Sequence, residues 1–269
     1  AYTGTQTDQL SIADASVPGQ GVFRLIANGA CGADTSTEAT LTLYSLPARP
    51  VITASGATEF CEGGSVTLTS SASYGNTWST GANGQDITVS TAGTYTVSVT
   101  DNNGCTSPVS DVVTVTVNTN PSRPTISLSG ATEFCEGSSV TLTSSAANGN
   151  SWSNGATGQA ITVSTAGTYT VAVSDNNGCT SPVSDPVTIT VHPTPAQPVI
   201  MAGGPLEFCA GSSVTLSTDP AAQYQWSDGR SAQAITVNQS GDYTVQITDV
   251  NGCTSPASAT VTVLVHPLP

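Results

Sequence analysis

Apolar and polar positions alternate along most of this chain with a period of two, the pattern of strands that bury one face and wet the other. Val66 and Leu68 alternate with Thr67 and Thr69, and Ile87 and Val89 flank Thr88. Tyr95, Val97 and Val99 form a third run and Val113, Val115 and Val117 a fourth. Between the runs lie Ser73-Tyr74-Gly75-Asn76, Gly81-Ala82-Asn83-Gly84, Ala92-Gly93 and Asp101-Asn102-Asn103-Gly104, residues that close tight turns or tolerate positive φ. The pattern predicts a small antiparallel β-sandwich.

The same pattern returns every 74 residues. Phe60-Cys61-Glu62-Gly63 recurs as Phe134-Cys135-Glu136-Gly137 and Phe208-Cys209-Ala210-Gly211. Trp78, Trp152 and Trp226 keep that step, as do Tyr95, Tyr169 and Tyr243, and Cys105, Cys179 and Cys253. Repeats are therefore expected at 50–123, 124–197 and 198–269, the last including the start of a further linker. Residues 1–49 fit the C-terminal half of another copy, because Cys31 precedes Pro50 by the interval that separates Cys105 from Pro124. Both ends are expected to be cuts in a longer tandem array.

A 74-residue sandwich buries a modest core, so a few large side chains must dominate it. Trp78, Trp152 and Trp226, with Tyr95, Tyr169 and Tyr243, are the expected plugs. Burial is favoured over sugar stacking for the Trp residues, which sit where a sandwich places its core Trp. The Gly93-Thr94-Tyr95 step resembles the corner that opens strand F of immunoglobulin-like domains, although no Cys follows two residues later. The fold class expected is all-β, a tandem array of immunoglobulin-like β-sandwich domains set end to end.

Composition narrows the function. The 269 residues carry 18 acidic side chains against 4 basic ones, a formal charge of −14. Nucleic acid and anionic membrane surfaces are excluded as partners, because both are recognised through clustered Lys and Arg. No apolar run is long enough to insert into a bilayer.

Together, Phe60-Cys61-Glu62-Gly63 with Ser65-Val66-Thr67-Leu68-Thr69, then Trp78-Ser79 and Gly81, then the stretch from Ile87 to Val97, and lastly Asp101-Asn102-Asn103-Gly104-Cys105-Thr106-Ser107-Pro108, form a recurring string. It resembles the Ig-like and PKD-like repeats of giant surface proteins of the Bacteroidota. That resemblance implies export by type IX secretion and a place in gliding adhesins, surface filaments or grappling-hook-like appendages.

Seven cysteines at fixed repeat positions point to an oxidising, extracellular or cell-surface setting. The expectation is pairing within each repeat, Cys61 with Cys105, Cys135 with Cys179 and Cys209 with Cys253, leaving Cys31 unpaired. Each such bridge would contribute about 3–4 kcal/mol in the chain-entropy model. The alternative is pairing between repeats, Cys61 with Cys179 and Cys135 with Cys253. It follows if Gly81 to Gln85 crosses between sheets, because the two cysteines of one repeat would then lie at opposite ends.

Asp101, Asp175 and Asp249 open Asp-x-Asn-Gly segments that resemble the start of a calcium loop, with Asp111 and Asp185 nearby. The rest of such a loop is missing, so hairpin turns are favoured and calcium is the minor reading; no other cofactor is expected. His192 and His266 read as solvated linker residues, since Asn118 takes the same place in the first linker. No nucleophile elbow occurs and the carboxylates recur with the repeat, so catalysis is not expected. The reading is a non-enzymatic shaft of a large extracellular adhesin or filament that mediates attachment, gliding or prey capture. Its partners would be copies of itself in a multistranded filament, and host, prey or other surface proteins contacted elsewhere. Two alternatives stand: a glycan- or ligand-binding module using loop tips, where Ser71 to Asn76 differs between copies, and accessory repeats of a secreted hydrolase.

Overall fold

In the computed structural model the described residues are 2–3, 11–12 and 21–268. They form strands and no helix. The chain divides into two compact units, Ala1–Thr119 and Asn120–Pro269.

The first unit begins with β1 (Tyr2–Thr3) paired to β2 (Ser11–Ile12). Next, β3 (Gly21–Phe23) pairs with β6 (Ala39–Leu41), and β4 (Ile26–Gly29) with β5 (Gly32–Thr35), all antiparallel. This double hairpin leaves Val22, Leu25 and Ile26 exposed.

A full sandwich follows, built from β7 (Ile52–Ala54), β8 (Glu59–Cys61), β9 (Val66–Ser70), β10 (Asn76–Trp78), β11 (Asp86–Val89), β12 (Gly93–Tyr95), β13 (Val97–Val99) and β14 (Val113–Asn118). One layer has the order β7-β9-β11, all antiparallel. The other holds β8-β14-β12, and after a break at Thr96 the chain continues as β13, which pairs with β10. Only β8 with β14 runs parallel in this sandwich. The first strand is thus shared between layers, β7 in one and β8 in the other, as immunoglobulin-like sandwiches share theirs. Because β10 and β11 belong to different layers, Gly81 to Gln85 lies on a crossover rather than in a hairpin.

Period-two patterning does what it predicts. On β9, Val66 and Leu68 are buried while Thr67 and Thr69 face outward. The core gathers Val66, Leu68, Trp78, Val89, Tyr95, Val97 and Val115. Trp78 donates its indole N–H to the Gly84 carbonyl at 2.8 Å, which fixes the crossover against the core. The Tyr95 hydroxyl donates back to the Thr91 carbonyl at 2.8 Å, tying the chain entering β12 to the body of the sandwich.

The second unit contains two further sandwiches. The first is β15 (Ile126–Leu128), β16 (Glu133–Cys135), β17 (Val140–Ser144), β18 (Asn150–Trp152), β19 (Ala160–Val163), β20 (Gly167–Tyr169), β21 (Val171–Val173) and β22 (Val187–His192). The next is β23 (Met201–Ala202), β24 (Glu207–Cys209), β25 (Val214–Ser217), β26 (Gln223–Trp226), β27 (Ala234–Val237), β28 (Gly241–Tyr243), β29 (Val245–Thr248) and β30 (Val261–His266). Both repeat the strand order of the first sandwich. Each has its own core, one around Leu142, Trp152, Val171 and Ile189 and the other around Leu216, Trp226, Val245 and Val263. The fold is a tandem array of immunoglobulin-like β-sandwiches.

Candidate functional site

The chemistry of this chain concentrates at the two poles of each sandwich. At the downstream pole, β16 runs parallel to the end of β22 and matches Glu133 to Thr190, Phe134 to Val191 and Cys135 to His192. Cys135 therefore stands where the chain leaves the sandwich, and the next amide, of Glu136, donates to the His192 carbonyl at 2.9 Å. His192 is not a free linker residue, since it ends β22 and its Nε2 lies 3.7 Å from Glu133 Oε2. The equivalent pairs are Asn118 donating to Glu59 at 3.0 Å and His266 with Glu207 at 2.6 Å. An amide can replace imidazole here because the shared task is to place a polar nitrogen beside the carboxylate.

The upstream pole carries the turn between the last two strands. Asp249 Oδ1 accepts from the amides of Asn251 at 2.9 Å and Cys253 at 2.8 Å, so the carboxylate builds the turn and orients the cysteine. Asp101 and Asp175 do the same for Cys105 and Cys179. Of the neighbouring carboxylates, Asp111 pairs with Arg49 at 2.8 Å and Asp185 with Arg123 at 2.7 Å. One carboxylate oxygen of each of these aspartates thus has a partner within the turn or in the linker. Among the described residues no group of three or more His, Cys, Asp or Glu side chains is placed to hold a metal.

A disulfide joins Cys135 to Cys253, with Cα atoms 5.6 Å apart and a sequence separation of 118. This corrects the expected pairing within repeats. Cys135 is not joined to Cys179, nor Cys253 to Cys209, and Cys105, expected to hold Cys61, is free. The cause is the crossover after β18. It makes the second layer run β16-β22-β20/β21-β18, so that β16 ends at one pole and the turn bearing Cys179 lies at the other. Cys135 accordingly meets the turn of the following sandwich. Cys31 and Cys209 are free and exposed, Cys105 is free and partly buried, and neither Cys61 nor Cys179 is free. A closed loop of this length contributes about 5 kcal/mol in the chain-entropy model.

Each linker is also clamped to the sandwich that follows it. Arg49 holds Asp111 and donates to the Val109 carbonyl at 2.6 Å, while Arg123 holds Asp185. In the last copy both members change together: Gln197 replaces the arginine, Ala259 replaces the aspartate, and Gln197 donates to the Ala257 carbonyl at 2.7 Å. This paired change was visible in the sequence at the 74-residue offset. Sequence reasoning also missed Ser107 and Ser110, buried beside β13. Their hydroxyl oxygens accept from the amides of Val99 at 3.0 Å and Val97 at 3.1 Å. Ser181, Ser184, Ser255 and Ser258 repeat the arrangement, and the recurring Ser-Pro-x-Ser string was the available signal.

Beside the upstream pole of the last sandwich lies an open cleft of about 510 Å³, walled by Pro195, Pro220, Ala222, Ile247, Asp249 and Val250. The first sandwich has a counterpart of about 340 Å³ that includes Ser71, Ser73, Tyr74 and Asp101. The tryptophans offer no stacking platform, being 1–3 % exposed.

No protein-family model matches the chain, and no curated protein matches it. Among solved structures, the chain is similar to the human OSCAR ligand-binding domain at 14% identity, covering 54% of this chain and 99% of that one with a TM-score of 0.25. The fold assignment therefore rests on the strand order, with β8, β16 and β24 each parallel to the last strand of its sandwich.

Proposed function

We propose that this chain is the repeat region of a large extracellular surface protein, a non-enzymatic shaft that carries an adhesive or mechanical part away from the cell. The observation that carries this reading is the Cys135–Cys253 bridge. It spends a covalent bond on coupling successive sandwiches rather than on either core, which serves a molecule whose work depends on keeping neighbours in line. An oxidising environment suits both the bridge and the fold. The Arg123–Asp185 clamp supports the same reading by holding the linker to the sandwich it enters.

Cys61 and Cys179 stand at the same 118-residue step as Cys135 and Cys253. The resemblance to giant Bacteroidota repeats is retained as the proposed source of the array, with a gliding adhesin, surface filament or prey-capture appendage as its setting. Negative-stain electron microscopy of the oxidised protein should show beaded rods with a spacing of about 35–40 Å per repeat, set by strands of six residues and their loops. Compact particles would overturn the shaft reading.

A second reading, binding through the loop tips, is favoured by the cleft of the last sandwich. There Pro220, Ala222 and Val250 replace Ala72, Tyr74 and Asn102 and make the walls more apolar. Glycan-array and peptide-array screening checks it, with loss of any hit on Val250→Asn as the expected signature.

A further inference from the structure

We infer that the Cys135–Cys253 bridge is a mechanical shunt, through which tension passes from one sandwich to the next without being transmitted through the strands that lie between β16 and β30. This rests on the shaft reading and adds how such a shaft resists extension.

The inference follows from where the two sulfurs sit. Tension reaching the 124–197 sandwich from its N-terminal side enters along β15 and β16, and β16 ends at Cys135. In the following sandwich, Cys253 precedes the segment that becomes β30, the last strand, which ends at His266. The continuous covalent path is therefore β15, β16, the disulfide, the segment from Cys253, and β30. Strands β17 through β29 lie inside the closed ring. That ring holds both core tryptophans of the unit, Trp152 and Trp226, with Leu142, Val171, Leu216 and Val245.

The segments on the path ahead of the bridge are weakly packed, whereas β30 beyond it is held on both sides, by β24 and β28. β15 is an edge strand paired to β17, with Ile126 half-buried and its other two residues exposed, and β16 is held by a three-residue parallel ladder. Either could peel under load, yet peeling ends at a sulfur after a few residues. The peptide linker from Pro193 to Pro198 runs in parallel with the bridge, so the junction has two tethers rather than one. The same geometry explains why the bridge joins neighbouring sandwiches. A bond within one sandwich would shield only the 44 residues from Cys135 to Cys179 and would leave the junction on a single peptide. Cys209 occupies the corresponding place beside His266, exposed and free, and so presents the same half of a joint.

The test is single-molecule force spectroscopy of the full chain, tethered at its two ends, with and without a phosphine reductant. In a Cys61→Ser/Cys179→Ser background the remaining bridge should withhold 118 residues, so the reduced chain releases about 390–420 Å more contour than the oxidised one. A difference of about 145–160 Å, the length of 44 residues, would instead assign a within-repeat bridge and overturn the inference. Equal release in both conditions would overturn it as well. Should that variant fold poorly, the wild-type chain supplies a second readout. Steps of about 245–265 Å, the length of one 74-residue repeat, should be absent for the last two repeats until reductant is added. Their appearance in the oxidised chain would refute the shunt. Beaded rods that nevertheless unfold repeat by repeat would leave the shaft standing and remove the shunt alone, whereas compact particles in micrographs would remove the shaft.

Discussion

Replacing Gly149 by alanine is expected to open the 124–197 sandwich locally, while the same change at the matching place in the next copy is not. Gly149 has φ of +73°, a conformation costing an L-residue about 1–2 kcal/mol. An added Cβ would also fall inside the van der Waals sphere of the Ser174 carbonyl oxygen, a backbone atom that cannot swing away. Relieving that overlap means giving up the 2.9 Å bond from the Ser174 amide to the Gly149 carbonyl, worth about 1 kcal/mol. The sum is a destabilisation of about 2–3 kcal/mol. The equivalent residue in the last copy is Gln223, which is extended in β26 and registers with Thr248. Alanine there should cost under about 0.5 kcal/mol. Hydrogen exchange followed by mass spectrometry reads both in the full chain. Amides of β17, β18 and β21 should exchange about 30- to 150-fold faster in Gly149→Ala, with those of β25, β26 and β29 unchanged in Gln223→Ala. Unchanged protection in the glycine variant, or equal losses in the two, would refute the reasoning.

Trp152→Ala should destabilise its sandwich by about 3–5 kcal/mol, seen in denaturant unfolding, because it empties the largest buried side chain and frees the Gly158 carbonyl. Ser184→Ala should cost about 1–3 kcal/mol by leaving the buried Val171 amide without its hydroxyl acceptor, and Ser184→Thr should recover part of that loss. Under native, oxidising conditions Ellman's reagent should label Cys31 and Cys209 first and Cys105 more slowly; early labelling of Cys135 or Cys253 would contradict the bridge.

The parts of the fold set by local chemistry were legible in the sequence. Alternation along Val66 to Thr69 names the buried face of β9, and Gly93-Thr94-Tyr95 names the corner whose hydroxyl closes onto Thr91. What escaped depended on which strands share a layer. The residues from Gly81 to Gln85 have the composition of a hairpin turn, and nothing local tells a hairpin from a crossover. The crossover decides which pole each cysteine occupies, so the preferred disulfide pairing went wrong with it. Ser107 and Ser110 were missed for another reason. Their hydroxyls stand in for ladder partners beside Pro108, where the chain cannot form a regular strand, and polar residues next to a proline read as loop. The Arg123–Asp185 pair spans 62 residues, and its only trace is the joint replacement by Gln197 and Ala259 one repeat later.

Covalent coupling of neighbouring sandwiches is the claim on which the rest depends, and disulfide mapping tests it most directly. Digestion of the oxidised protein under non-reducing conditions, followed by mass spectrometry, should yield a peptide containing Cys135 linked to one containing Cys253. Finding Cys135 linked to Cys179, or Cys209 linked to Cys253, would place each bond inside a single sandwich and contradict the account.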